Sequence, residues 1–212
     1  MAKQILVVGL GTFGGMVARE LTKLGHEVLG CDRDPVIVAA IAPDLTEAVE
    51  LDATDEAALR AVGPGDFDVI VVALDRQTSV FSTMLLEQIG VRTIVARAAT
   101  PLDAEILQRV GADRVLKTDE LIATWVAHTI DLSGALDFIR LAGGVSAVHL
   151  RIPDRAVGQT IAAVVAARPG LAVVALHRGA DVVANPPADT VLLDGDTALL
   201  VGPEDTFSSL AG

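Results

Sequence analysis

Gly9-Leu10-Gly11-Thr12-Phe13-Gly14-Gly15 is the stretch that decides the fold of this chain. It directly follows the apolar segment Ile5-Leu6-Val7-Val8. A second apolar segment, Val28-Leu29-Gly30-Cys31, ends at Asp32, 21 residues beyond Gly11. Strand, glycine turn, helix, strand, acid is the order that a dinucleotide-type βαβ unit requires. Gly9 permits the tight turn, Gly11 lets the backbone approach a pyrophosphate, and Gly14 lets the helix pack close to the strand. A phosphate then sits on free N–H groups at the positive end of a helix. Asp32 accepts hydrogen bonds from ribose hydroxyls. The bland reading is a glycine turn that merely packs; the two strands and the acid favour the nucleotide site.

Composition narrows the rest. At 212 residues, 51% of them apolar, the chain can bury a sizeable core, as one large domain or as a full domain plus a small one. A net charge of −12 opposes binding to nucleic acid and to an anionic lipid surface. Nucleotide phosphates must therefore be held by local dipoles rather than by a global positive field. The single cysteine, Cys31, excludes an intrachain disulfide and any multi-cysteine metal site, and it reads as a small buried apolar residue of the second strand. The first residues lead straight into a strand, with no signal-peptide pattern, and no apolar run is long enough to span a membrane. These features predict a soluble, cytoplasmic protein.

Apolar runs alternate with helical patterns from the start. Strands are expected at residues 4–8, 27–31, 47–51, 69–73, 93–96 and 114–116. Helices are expected at 13–24, 35–41, 55–62, 78–89, 101–110 and 119–130. Asp34, Thr54 and Thr100 precede three of these helices as caps, two of them before a proline. Six βα units with near-continuous apolar strands predict an α/β fold, a doubly wound parallel Rossmann-type sheet covered on both faces, over residues 1–132. Ser133-Gly134 and Gly143-Gly144 punctuate the next segment, so 133–144 reads as a linker. Residues 145–212 are rich in strands, with one helix near 157–167 and turn signals at Arg168-Pro169-Gly170, Asn185-Pro186-Pro187 and Asp194-Gly195-Asp196. They predict a small α+β domain.

In doubly wound sheets ligands bind outside the carboxyl ends of the strands. Those ends carry Asp32-Arg33, Asp52-Ala53-Thr54, Ala73-Leu74-Asp75, Arg97 and Lys117-Thr118-Asp119. The candidate nucleotide residues are Gly9, Gly11, Thr12, Phe13, Gly14, Asp32, Arg33, Asp52, Ala53, Thr54, Ala73, Leu74 and Arg97. Asp52 can read an adenine amino group or a second ribose. Ala73 and Leu74 can line a nucleoside. Arg97 can meet a phosphate or pair with a neighbouring acid. Thr54 also reads as a helix cap, and Asp119 either holds a cation or starts a helix. Catalytic chemistry is scarce. The chain has no tyrosine, its four histidines (His26, His128, His149 and His177) fall in no local pairing, and no GxSxG, HExxH or Walker lysine is present. The nucleotide thus reads as a signal rather than a reactant.

The sequence resembles the cytosolic regulatory subunits of Trk/Ktr-type potassium uptake systems, built on the domain that regulates potassium conductance. The matching text is Val7 to Gly15, Leu24-Gly25-His26-Glu27-Val28, Asp52-Ala53-Thr54 and Gly111-Ala112-Asp113-Arg114-Val115, with Val174 to Arg178 and Asp194-Gly195-Asp196 in the tail. The resemblance covers essentially the whole chain. It implies gating by an adenine nucleotide (ATP against ADP, or NAD/NADH) and a homo-oligomeric ring, octamer or tetramer. It also implies a membrane potassium channel or transporter as partner, which would hold the protein at the inner face of the cell membrane without insertion. By position it gives Asp32 the ribose, Asp52 the adenosine end, and Asp119 a divalent or monovalent cation near the phosphates. The C-terminal domain is implied to sense a ligand, with cyclic di-adenosine monophosphate as one candidate. Ktr-type members often carry an arginine inside the glycine loop, where this chain has Thr12, so NAD and AMP-containing ligands gain weight. An NAD-dependent oxidoreductase is the competing reading. Helix 78–89, with Val80, Phe81, Met84, Leu85 and Ile89, supplies the apolar surface expected to join subunits.

Overall fold

A computed structural model describes residues 1–211. The chain divides into two compact units, one up to Glu120 and one from Leu121 on.

The first unit alternates strand and helix: β1 (Gln4–Val8), α1 (Thr12–Lys23), β2 (Glu27–Asp32), α2 (Pro35–Ile41), β3 (Glu47–Glu50), α3 (Glu56–Ala61), β4 (Val69–Val72), α4 (Arg76–Ile89), β5 (Ile94–Ala98), α5 (Pro101–Arg109), β6 (Arg114–Lys117) and the start of α6 (Thr118–Asp131). The sheet order is β3-β2-β1-β4-β5-β6, with every pair parallel. Central strands such as Val69–Val72 can be uniformly apolar because helices cover both faces. Leu6, Val8, Ile70 and Val72 enter one core with Leu59, Leu86 and Leu107; Ile5, Val7 and Val71 enter the other with Ala18 and Ile41. The chain leaves β1 toward β2 and returns to pair β4 on its other side. This reversal opens a crevice at the carboxyl ends of β1 and β4.

Helix starts follow local capping chemistry. Asp34 accepts from Val36 N–H, Asp55 from Ala57 and Ala58 N–H, and Asp75 from Thr78 N–H. Thr100 and Asp103 form a reciprocal capping box. The expected Thr54 cap is corrected: Asp55 caps α3, because the Thr54 hydroxyl and amide are both drawn to Asp52. Asp75 likewise starts α4 at Arg76, two residues earlier than the sequence pattern suggests.

The second unit holds most of α6, then β7 (Ala135–Arg140), β8 (Val145–Arg151), α7 (Ile161–Ala166), β9 (Ala172–Arg178), β10 (Asp181–Ala184), β11 (Thr197–Pro203) and α8 (Glu204–Ala211). Its antiparallel sheet runs β10-β9-β11-β8-β7. Alternation places Val148, Leu150, Ala198 and Leu200 in the core, against Ile161 and Val164 of α7 and Phe207 and Leu210 of α8. Residues 133–144, expected as a linker, instead contain β7, which pairs with β8 and buries Phe138. Gly143 and Gly144, both at φ 73°, are the turn of that hairpin. α8 has no counterpart among the expected elements.

The apolar surplus read on α4 is mostly consumed internally. Leu85 and Leu86 are buried, and Val80 and Ile89 pack on the core; Phe81 alone of that set stays exposed.

Candidate nucleotide-binding site

The crevice is a cavity of about 280 Å³. Its floor is the glycine turn. Gly9 has φ 93°, donates its N–H to Cys31 O at 2.8 Å, and leaves no room for a side chain: a Cβ there would lie 2.7 Å from Leu74 and 2.8 Å from Ala73 O. Gly14 is more crowded still, since an added Cβ would stand 1.8 Å from Gly9 O. These two glycines bring α1 onto β1. Gly11 differs. It is the residue at the head of α1, and a Cβ there meets nothing within 4 Å. Its missing side chain is a gap facing the cavity rather than a packing need.

No side chain caps α1, and its first turn carries no acid, whereas α2, α3, α4 and α5 are each capped by an Asp or Thr. The first N–H groups of α1 are thus left for an external acceptor at the positive helix end.

The cavity walls come from three strand ends. Asp32 is held firmly: one oxygen accepts from Leu10 N–H at 2.8 Å and the other from Asp34 N–H at 3.0 Å. Each oxygen keeps a further acceptor position for a hydroxyl. Asp52 accepts from the Thr54 amide at 2.9 Å and its hydroxyl at 2.7 Å, which, with the nearby Arg33 charge, hold its carboxyl below the ordinary value despite some opposing desolvation. Asp75 is lowered in the same way, first by the Thr78 hydroxyl and then by its amide. Burial pushes the Cys31 thiol up to about 12, aided by the Asp32 charge. The cavity therefore presents ionised carboxylates, the single cation Arg33, apolar walls from Ala53, Ala73 and Leu74, and an inert thiol.

Eight of the candidates from sequence line this cavity: Gly9, Gly11, Asp32, Arg33, Asp52, Ala53, Ala73 and Leu74. Thr12, Phe13 and Gly14 belong to the first turn of α1 without lining it, and Thr54 acts through Asp52. Arg97 stands apart. Its Nε donates to Thr118 Oγ1 at 3.1 Å, one terminal nitrogen lies 3.9 Å from Asp119, and its guanidinium sits 5.3 Å from the Phe13 ring centroid. It lines a smaller cavity of about 110 Å³ with Arg76, Ser79 and Asp103. Leu74 and Asp75 line both cavities, so the two adjoin. Asp119 lies in the first turn of α6, facing Arg97 and Thr118. Among the described residues no group of three or more His, Cys, Asp or Glu that could hold a metal ion is present, at Asp119 or elsewhere. The candidates from sequence omit Val8, Cys31, Asp34, Ile37, Leu51, Asp75 and Thr78, although the sequence places Asp75 at a strand end and Asp34 as a helix cap. The signal for Asp75 and Thr78 was available: Asp-x-x-Thr at a strand end is a helix start.

Comparison with known proteins identifies the family of the chain. The sequence matches the TrkA-N domain over residues 5–118 and the TrkA-C domain over residues 146–211. It is 32% identical over 205 residues to Ktr system potassium uptake protein C of Bacillus subtilis (strain 168), covering 95% of this chain and 93% of that one. It is 27% identical over 210 residues to Ktr system potassium uptake protein A of Vibrio alginolyticus, covering 98% and 96%. Among solved structures it superposes on the GsuK RCK domain with a TM-score of 0.71 at 18% identity, covering 100% of this chain and 48% of that one. A GsuK channel bound to NAD matches with a TM-score of 0.53 at 24% identity, covering 99% and 38%. These folds thus recur as less than half of longer chains. On the strength of its two domain matches and near full-length relatives, the chain belongs to the TrkA family of potassium uptake proteins.

Proposed function

We propose that this protein is a cytosolic regulatory subunit of a Ktr/Trk-type potassium uptake system, gated by an adenine nucleotide held in the crevice between β1 and β4. The observation that carries the reading is the head of α1: an uncapped helix start, opened by Gly11, opposite the ribose-competent carboxylate of Asp32. The relatives bear the names of potassium uptake proteins over nearly their whole lengths, which supplies the physiological context.

The chemistry favours NAD(H) over ATP. Asp32, Asp52 and Asp75 surround the cavity with Arg33 as its one cation, so hydroxyl-rich ribose fits better than added phosphate charge. The adjoining cavity under Arg76 and Arg97 extends the site in the direction a second nucleoside would take. The crevice holds no histidine and the chain no tyrosine, which supports a ligand that is sensed rather than turned over. Ligand binding acts by favouring one conformation of an assembly coupled to the membrane partner. Self-association would use α6 rather than α4, because Leu121, Ile122 and Ile130 remain exposed. No helix among the described residues is long and apolar enough to cross a membrane. With a net charge of −12, attachment to the inner membrane face then runs through the transporter.

Calorimetric titration with NAD, NADH, ADP and ATP tests the ligand, and potassium-limited growth of a deletion strain tests the role. Affinity confined to NAD(H) or shared among adenine nucleotides, with impaired growth rescued by the gene, supports the proposal. No nucleotide binding, or normal potassium uptake in the deletion strain, overturns it.

A further inference from the structure

Outside the crevice, one cluster joins four elements of the second unit around a histidine ring. His128 of α6 stacks on Phe138 of β7, with ring centroids 3.9 Å apart and planes 9° from parallel. Its Nε2 lies 3.0 Å from an Arg140 terminal nitrogen. Arginine only donates, so Nε2 must be the acceptor and the imidazole must be neutral, with its proton on Nδ1. Arg140 also donates to Glu204 of α8 at 3.1 Å, and Ser146 of β8 donates to the same carboxylate oxygen at 3.1 Å. One turn earlier on α6, the Trp125 indole N–H donates to Asp137 of β7 at 2.8 Å. Two hydrogen bonds and one stacked pair thus fasten α6 to β7.

We propose that this cluster is a pH-sensitive latch, in which the neutral His128 holds α6 on β7 through Arg140 and Phe138, and protonation releases it. Histidine is the side chain whose charge changes between about pH 5 and 8. A proton on Nε2 removes the acceptor that Arg140 uses and sets two cations side by side, both drawing on the Glu204 carboxylate. The other charged or titratable groups of the packed elements are Asp119, Glu120 and Asp131 of α6, Asp137 of β7, His149 and Arg151 of β8 and Asp205 of α8. Asp137 is taken by the Trp125 indole and the Phe138 amide, and Asp131 follows on α6 itself. Burial raises the Glu204 carboxyl, but hydrogen bonds from Ser146 and Arg140, with the Arg140 charge, outweigh it and hold it below the ordinary carboxylate range. The latch matters because it sets how α6 packs within the second unit.

The chain carries its own reporter. Trp125 is its single tryptophan, three residues from His128 on the same helix, and it is bonded to the same strand. Emission of the full-length protein should follow a one-proton transition between about pH 8 and 5.5, shifting to the red as the indole gains water. His128→Gln keeps an acceptor for Arg140 at every pH and should abolish the transition. His149→Gln with His177→Gln should leave it unchanged. Deuterium uptake by residues 121–131, corrected for intrinsic exchange, should rise with the same midpoint in wild type only. A flat wild-type profile, or a transition that survives in His128→Gln, overturns the proposal. If His128→Gln misfolds, Arg140→Ala offers the second reading: with the donor to Nε2 gone, the pH-dependent change in Trp125 emission should be lost, and a transition of wild-type size there refutes the latch.

Discussion

Gly11 and Gly14 lie three residues apart in one glycine motif, yet the structure predicts opposite consequences for substituting them. Gly11 has φ −58° and ψ −170°, a conformation open to any residue, and an added Cβ meets nothing within 4 Å. Gly11→Val should therefore fold. The poorer helix start costs about 1 kcal/mol, and the reduced freedom of the unfolded chain returns about 0.4–1 kcal/mol, so the net change is within about 1 kcal/mol. Binding should suffer far more, because the side chain fills the gap through which a phosphate reaches the α1 N–H groups. Two hydrogen bonds to a charged group, at about 1.5–3 kcal/mol each, correspond to a loss of roughly 100-fold or more in affinity.

Gly14→Ala inverts this pattern. A Cβ 1.8 Å from Gly9 O and 3.0 Å from the Ala73 Cβ forces α1 away from β1. Overpacking of this kind costs about 1–3 kcal/mol, and the gain of about 1 kcal/mol in helix propensity is too small to offset it. Melting curves and calorimetric titration of both variants with NADH and ADP check the contrast. Wild-type affinity in Gly11→Val, or a loss of stability there as large as in Gly14→Ala, would refute the assignment of the α1 head as the phosphate site.

Three further outcomes are expected. NADP should bind at least about tenfold more weakly than NAD, because its 2′-phosphate meets the Asp32 carboxylate at short range; equal constants by calorimetry would show that Asp32 does not face the ribose. Asp196, buried and gripped by Arg178 at 2.7 and 2.9 Å, has its carboxyl lowered first by that hydrogen bond. The stability it contributes is complete above the ordinary carboxylate value of about 3.9 and is lost as pH falls through the depressed one. Urea midpoints read from Trp125 should drop in acid, and Asp196→Ala should lower the unfolding free energy at neutral pH by about 1–3 kcal/mol; an unfolding free energy unchanged by the substitution contradicts the role. Cys31, with its thiol pushed up to about 12 by burial, should resist thiol reagents in the native protein at pH 7.5 and react only at the rate of unfolding, with nucleotide slowing it further. Rapid native labelling would mean that the crevice opens beyond what the structure shows.

What the sequence revealed and what it concealed divide along one physical line. The glycine turn, the parallel sheet and the acid at Asp32 were legible because backbone sterics and short-range hydrogen bonds impose them within about thirty residues. The Thr54 and Asp55 caps were confused because both residue types can cap, and the choice fell to Asp52, which captures the Thr54 hydroxyl at 2.7 Å. Strand β7 escaped because its alternation is broken: the register shifts between Ala135 and Asp137, so Phe138 is buried while Leu136 stays exposed. Glycines on both sides then gave a hairpin the look of a connector. The sheet-facing and outward residues of α4 were equally apolar in the text, and only their neighbours separate Leu85 and Leu86 from Phe81. The latch lay deepest. His128, Arg140 and Glu204 are 12 and 64 residues apart along the chain, joined only by antiparallel register and a terminal helix that sequence periodicity did not reveal. A motif carried by adjacent residues can be read from the chain, whereas a charge network closed by tertiary pairing requires the fold. The proposed regulation is therefore split, its candidate nucleotide crevice readable in the sequence and its proposed proton-sensitive contact visible only in three dimensions.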